Sequence, residues 1–163
     1  IVIVGTSYNG SDTTNVNLVL RGGFNAFNAT TGEFLWRTRV SAANEGTSGG
    51  SWSTAAADTN LGIIYVGTAN ATTPPAGKNT DALMAIDYNT GFIVWSKQYT
   101  KNDVWSSLYP CGIDYDLGAS PNAFTNKKGA VVGAASKEGI YRVFRRDNGH
   151  PIWETPLIPA GSS

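Results

Sequence analysis

The chain has 163 residues, enough for one domain to bury a substantial core, and balances 12 basic against 12 acidic side chains at a charged content of only 15%. Sparse, balanced charge with no run of either sign lacks the footprint of a nucleic-acid binder, and no apolar stretch approaches bilayer length. A single cysteine, Cys111, leaves no disulfide within the chain and no Cys-based metal site.

Gly, Asn, Thr and Trp are plentiful and periodic runs of helix formers are scarce, which predicts an all-β chain. Ile1 to Gly5 reads as a short buried strand, followed by a polar loop over Thr6 to Asn15. Leu18 to Phe27 forms the next strand, with Arg21-Gly22-Gly23 inside it, and a hairpin then delivers Phe34-Leu35-Trp36 and Thr38 to Val40. Ser41 to Ser51 is a Gly/Ser/Asn linker. A second module takes Trp52 to Ala57 as a strand, a turn at Asp58 to Gly62, a strand at Ile63 to Thr68, and a hairpin at Ala85 to Trp95. Lys101 to Leu117 is a long insertion, of the kind that in compact domains is functional or disordered. A third module repeats the order with strands over Ala119 to Thr125 and Ala130 to Ala135, and a hairpin from Gly139 to Trp153.

One hairpin organises the whole. Ala26 to Trp36, Ala85 to Trp95 and Val143 to Trp153 share a length, a turn and a Gly placed four residues before a Trp: Gly32/Trp36, Gly91/Trp95 and Gly149/Trp153. The glycine fits a tight connection that needs a positive φ. The Trp residues recur after 59 and 58 positions, and β modules at a near-constant interval predict a propeller. The expected blades are 1–40, lacking its inner strand, then 50–99, an insertion over 100–117, and 118–158. Each repeated Trp is expected to lie between adjacent blades with its N–H on a backbone carbonyl. Three blades do not close a ring, since four to eight are usual. The chain thus reads as part of something longer, its remaining blades supplied by further sequence or by another chain.

Repeats of the type Ala-x-Asp-x-x-Thr-Gly-x-x-x-Trp, clearest in Ala85 to Trp95, resemble those of the quinoprotein dehydrogenases. That family consists of eight-bladed propellers that bind pyrroloquinoline quinone (PQQ), so the resemblance implies about three four-stranded blades of a probable eight-bladed propeller. The segment Trp52 to Asn70 looks like the one in which family alcohol dehydrogenases place a Trp under the quinone ring and, 18 positions later, a calcium-binding Asn. Ile113 to Pro121 resembles the family's Trp-Asp-x-Asp segment, whose first Asp, here Asp114, would be the catalytic base and share the Ca²⁺ with Asn70. Ile113 replaces the usual Trp, and a second alignment puts Trp105-Ser106 at that place and leaves no base. Ala134 to Gly139 is similar to the family's Lys-x-Gly, so Lys137 would contact the quinone carbonyls.

Each of these residues also has a structural reading: Trp52 as a core Trp, Asn70 as a turn-forming or glycosylated Asn, Asp114 and Asp116 as loop caps, Lys137 as a solvated turn residue. Arg21-Gly22-Gly23 resembles an Arg-Gly segment that follows a calcium-binding Glu by four positions in methanol-dehydrogenase-like members. Asn17 stands there instead, which would weaken the hold on a hard cation.

The resemblance implies a secreted or periplasmic PQQ-dependent alcohol dehydrogenase of the polyvinyl-alcohol-dehydrogenase-like branch. It would oxidise a small alcohol or polyol and deliver electrons to an acceptor such as a cytochrome. Three acceptor sequons, at Asn9, Asn28 and Asn70, lean toward export and a glycoprotein. The alternative is a cofactor-free extracellular propeller that acts as a binding or structural scaffold, favoured by Asn17, Ile113 and the sequons.

Overall fold

The computed structural model describes residues 1–7, 22–47, 49–51, 53–106, 108–110 and 112–157. They form three antiparallel sheets. The first contains β1 (Val2–Thr6), β2 (Gly23–Phe27) and β3 (Phe34–Arg39), in that order. The second runs β4 (Ala56–Asp58), β5 (Ile63–Gly67), β6 (Ala82–Asp87), β7 (Ile93–Gln98), and the third runs β8 (Asn122–Asn126), β9 (Gly129–Ala135), β10 (Ile140–Arg145), β11 (Pro151–Pro156). Each sheet is a simple meander, the chain is all-β, and the architecture is a partial propeller. No helix of the described residues is long and apolar enough to cross a membrane.

The turns explain the repeat. Asp87 Oδ1 accepts Asn89 N and Thr90 N, each at 2.9 Å, and Gly91 N donates to Asp87 O at 2.8 Å. Asn28 does the same for Thr30 and Thr31, which is why a short side-chain acceptor opens these turns. Gly91 closes its turn at φ 77°, a conformation costly for any residue with a Cβ.

Sheets are joined by tryptophan. Trp36 Nε1 donates to Tyr88 O at 2.9 Å and its ring lies on Gly91, where a Cβ would come within 2.7 Å of it. One module on, Trp95 Nε1 donates to Arg146 O at 3.0 Å and its ring lies on Gly149. In both cases the accepting carbonyl stands three residues before the glycine. Trp153 differs: it is 42% exposed and, among the described residues, stacks on Tyr141, with no sheet of those residues beyond it.

The middle sheet is covered on both faces, so β5 is buried throughout and β6 is buried except at its last residue. Strand alternation divides them. Ile64, Val66, Met84 and Ile86 pack toward the first sheet with Phe24 and Trp36, whereas Ile63, Tyr65, Leu83 and Ala85 pack toward the third with Val132 and Phe144. The first strands β4 and β8 lie against each other where the two sheets converge.

One expected strand is described only in part, and another is shorter in the structure. β2 begins at Gly23, whose missing side chain lets Thr38 O approach, with Gly22 just ahead of it; positions 18–21 of the expected Leu18–Phe27 strand, Arg21 among them, lie outside the described residues, as do Asn9 and Asn17. β4 starts only at Ala56, because Thr54 N is bonded to Ser120 Oγ at 3.1 Å rather than to a strand.

Candidate functional site

The site assembles where β5 and β9 end, between the second and third sheets. The loop after β5 is fixed by Thr68, whose hydroxyl donates to Asn79 O at 2.7 Å and accepts from Ala82 N at 2.9 Å. The insertion is stitched to this loop along its backbone. Ala71 pairs with Val104 as a parallel bridge, Trp105 N donates to Ala71 O at 2.9 Å, and Leu117 N donates to Thr68 O at 3.1 Å. Gly67 permits the last contact, since a Cβ there would be 2.7 Å from Leu117 O. The Asp114-Tyr115-Asp116 run is thereby threaded between the end of β5 and the turn after β9, where Lys137 N donates to Asp116 O at 3.1 Å.

Lys137 is the positive centre. Its Nζ lies 2.9 Å from both carboxylate oxygens of Asp114 and 3.1 Å from Asp116 Oδ1. Asp116 is buried, while the Asp114 and Lys137 side chains are each about one-third exposed. Burial pulls the Lys137 ammonium down, but the two carboxylates outweigh it and hold its pKa above the ordinary lysine value. Burial pushes the Asp116 carboxyl up to about 6 against the pull of Lys137.

Asn70 is buried, and its Nδ2 donates to Ala71 O at 2.8 Å and to Trp105 O at 2.7 Å. A doubly bonded, buried amide nitrogen has no room for a glycan, so the glycosylated alternative for Asn70 conflicts with this fold. Its amide oxygen is left as the acceptor side. Trp52 lies outside the described residues, but the chain just before it runs beside Asn70: Gly49 N donates to Asn70 O at 3.0 Å, and Ala69 N to Gly50 O at 2.8 Å. Cys111 also lies outside the described residues. Of the two alignments open to the sequence, it is Asp114 that meets Lys137. Ser106 instead closes a small turn with Tyr109.

Two acids escaped the sequence reading. Asp103 is buried, and its Oδ2 accepts Tyr115 N at 2.8 Å, a bond that holds the backbone next to Asp114 in place. Asp81 is buried at φ 52° just before β6, and neither of its carboxyl oxygens has a donor among the described residues. Burial and then the Asp103 carboxylate push the Asp81 carboxyl up to about 8. The Thr80 hydroxyl pulls the other way, yet its one hydrogen goes to Gly77 O at 2.9 Å. Burial without donors, beside a second carboxylate, favours the protonated form of this carboxyl. No periodicity or motif marks either acid; the only signal is an Asp beside a loop that flanks an apolar strand. Among the described residues no three His, Cys, Asp or Glu side chains converge closely enough to hold a metal ion.

Residues 1–162 match the family described as PQQ: glucose/ethanol/alcohol dehydrogenase, beta-propeller domain. The chain belongs to this family. Relatives include the polyvinylalcohol dehydrogenases of Sphingopyxis sp. (32% identical, over 84% of this chain and 25% of that protein) and Pseudomonas sp. (30% identical, over 85% and 26%). The chain therefore spans about a quarter of the length of these relatives. The quinohemoprotein alcohol dehydrogenase of Pseudomonas putida HK5 shares the fold, with a TM-score of 0.70, 22% identity, and coverage of 96% of this chain and 26% of that one.

Proposed function

We propose that the chain is part of a PQQ-dependent dehydrogenase that oxidises alcohols, with Asp114 as the base. The observation that carries this reading is the Lys137 ammonium laid across both oxygens of Asp114 and onto the buried Asp116, in a chain of this family. The relatives are dehydrogenases by name, and the scaffold alternative is not favoured.

The donor set suits the quinone. PQQ is planar and anionic, and Lys137 keeps its positive charge because two carboxylates hold it protonated. Ca²⁺ is served less fully: Asn70 Oδ1 and an Asp114 oxygen are the donors proposed here, where six to eight oxygens are usual. The remainder would come from the quinone, water or residues outside those described, and Trp52 would floor the ring.

PQQ, when bound, would supply the acceptor for the hydride of the alcohol carbon. Asp114 takes the hydroxyl proton on a carboxylate oxygen as the C–O bond becomes a carbonyl. Lys137 steers that carboxylate, and the Tyr115 N–H bond to Asp103 keeps its backbone from swinging away. Asp116, buried beneath Lys137, keeps the ammonium at this end of the sheets rather than in solvent. The two electrons would then leave to an acceptor such as a cytochrome. We place the protein in the periplasm or outside the cell, as the resemblance implies.

The test is dye reduction by the full-length protein supplied with PQQ and Ca²⁺, using primary and secondary alcohols. Absence of any alcohol-dependent reduction would remove the enzyme reading.

A further inference from the structure

We infer that Asn28 carries an N-linked glycan: it opens an exposed turn at one end of the first sheet, within an Asn-Ala-Thr acceptor, and its amide nitrogen takes part in none of the bonds that build the turn. This rests on the placement of the protein outside the cell and is independent of the alcohol-oxidising reading.

The turn engages every polar atom of Asn28 but one. Its N–H donates to Glu33 O at 2.8 Å, and its carbonyl accepts Gly32 N at 2.9 Å. Its Oδ1 accepts Thr30 N at 2.9 Å and Thr31 N at 3.2 Å. Nδ2 has no partner among the described residues, and Ala29, Thr30 and Thr31 are exposed. The bond from Thr30 N to Oδ1 folds the asparagine and the threonine of the acceptor into one Asx turn. Such a bond is local, so it forms in a chain whose sheets have not yet packed. Asn70 heads the same kind of triplet and fails on both counts, being buried with its Nδ2 bonded to Ala71 O and Trp105 O.

A module stacked ahead of the first sheet would leave that nitrogen free. The two later copies of the turn show what a neighbouring module covers. Trp36 takes Tyr88 O and rests on Gly91, and Trp95 takes Arg146 O and rests on Gly149. The residue that opens each turn stays at the surface. Asp87 caps its turn through exposed bonds, and the Arg145 side chain is 40% exposed with Trp95 seated beside it. Asn28 holds the equivalent position, so a tryptophan from a preceding module would meet Ala29 O and Gly32 instead.

The modification is a group transfer from a polyprenyl diphosphate oligosaccharide. A bond forms between Asn28 Nδ2 and the anomeric carbon of the sugar as that carbon's bond to the diphosphate breaks. The diphosphate leaves with the electron pair, and Nδ2 gives one proton to a base of the transferase. The glycan stands clear of the candidate site. Asp87 pairs with Ile63 at the start of β5, whereas the site lies beyond Gly67, about 14 Å further along that strand. Asn28 is at the Asp87 end, since Trp36, which pairs with Ala26, reaches Gly91.

The test uses the full-length protein collected outside the cells that produce it. Peptide-N-glycosidase in heavy-oxygen water turns a glycosylated Asn into a labelled Asp, and peptide mass mapping locates the label. We expect the label at Asn28 and an unlabelled Asn70. Thr30→Ala removes the acceptor hydroxyl while Thr30 N still reaches Oδ1, and Asn28→Asp keeps the capping oxygen as Asp87 does. Both variants should lose the glycan mass at this position and melt together with the enzymatically deglycosylated wild type. An unlabelled Asn28, a label at Asn70, a glycan retained in both variants, or a chain found only inside the cell and unlabelled would each overturn the assignment. Dye reduction with PQQ and Ca²⁺ on the same preparation, before and after glycan removal, should be equal, and a loss only after removal would contradict the remote placement. No reduction in either case defeats the proposed function instead, and the mass map still judges the glycan.

Discussion

Trp36 rests on Gly91: the indole ring lies where a side chain on that glycine would project, and the indole N–H reaches Tyr88 O in the same turn. Gly91 therefore meets two demands at once, a φ of 77° and a vacant face. Gly32 meets only the first, at φ 74° with nothing within 4 Å of where a methyl group would stand. Gly91→Ala should thus destabilise by roughly 2–4 kcal/mol, the backbone cost plus displacement of the indole, and Gly32→Ala by about 1–2 kcal/mol. Urea midpoints of the two variants check this. Equal losses would mean that the indole contact contributes nothing.

Asp81 predicts a pH dependence. Its folded pKa, about 8, is above the ordinary value of 3.8, so the folded state binds the proton more tightly. The stabilisation is fully present below about pH 4 and is lost as pH rises through 8. Asp81→Asn keeps a neutral side chain of the same shape and should flatten that loss, gaining on the order of a few kcal/mol at pH 9 and little at pH 4. Thermal unfolding of both proteins from pH 4 to 9 measures it, and parallel curves would refute the assignment.

Lys137 and Asp114 should separate by readout. Asp114→Asn keeps the shape but removes the proposed base, and on the proposed function kcat of the full-length, PQQ-supplied protein should fall roughly 10²–10⁴-fold with the melting temperature nearly unchanged. Lys137→Met also leaves the buried Asp116 without its cation, for a stability cost of about 1–3 kcal/mol. Asp116 already has a raised folded pKa of about 6, so this further cost should grow as pH rises above 6 and be small near pH 4. A Lys137→Met protein as stable as wild type at pH 8 would count against the pairing.

Asp58 and Arg146 form an ion pair at 2.7 Å between the second and third sheets, with Asp58 buried. The same aspartate caps its own turn through Asn60 N and Leu61 N. Arg146→Met should cost about 3 kcal/mol by leaving a buried carboxylate without its counter-charge, whereas Asp58→Asn with Arg146→Met should recover part of the loss. A double-mutant cycle on unfolding free energies gives the coupling, and additivity would show that the pair is not coupled.

Much of this molecule is written locally. A Gly that closes a turn and a Trp four positions on, with an Asp or Asn opening the turn in two of the three copies and Arg145 in the third, are set by backbone φ and short-range hydrogen bonds, so three copies at near-constant spacing already specify repeated hairpins and a propeller. The buried runs of β5 and β6 are legible for the same reason: a strand covered on both faces has no polar side to show. The partners of the repeated Trp residues are not local. Trp36, Trp95 and Trp153 all stand four residues after a turn glycine, yet among the described residues only the first two meet the next module's turn, because a contact between sheets depends on what is stacked beside them. Asp114 and Lys137 could be nominated from short motifs, whereas their mutual distance is set by Thr68, Leu117 and the backbone stitching of the insertion. Asp81 and Asp103 bear no motif at all. Their chemistry comes from burial and from one another, and burial is a property of the packed chain rather than of any stretch of it.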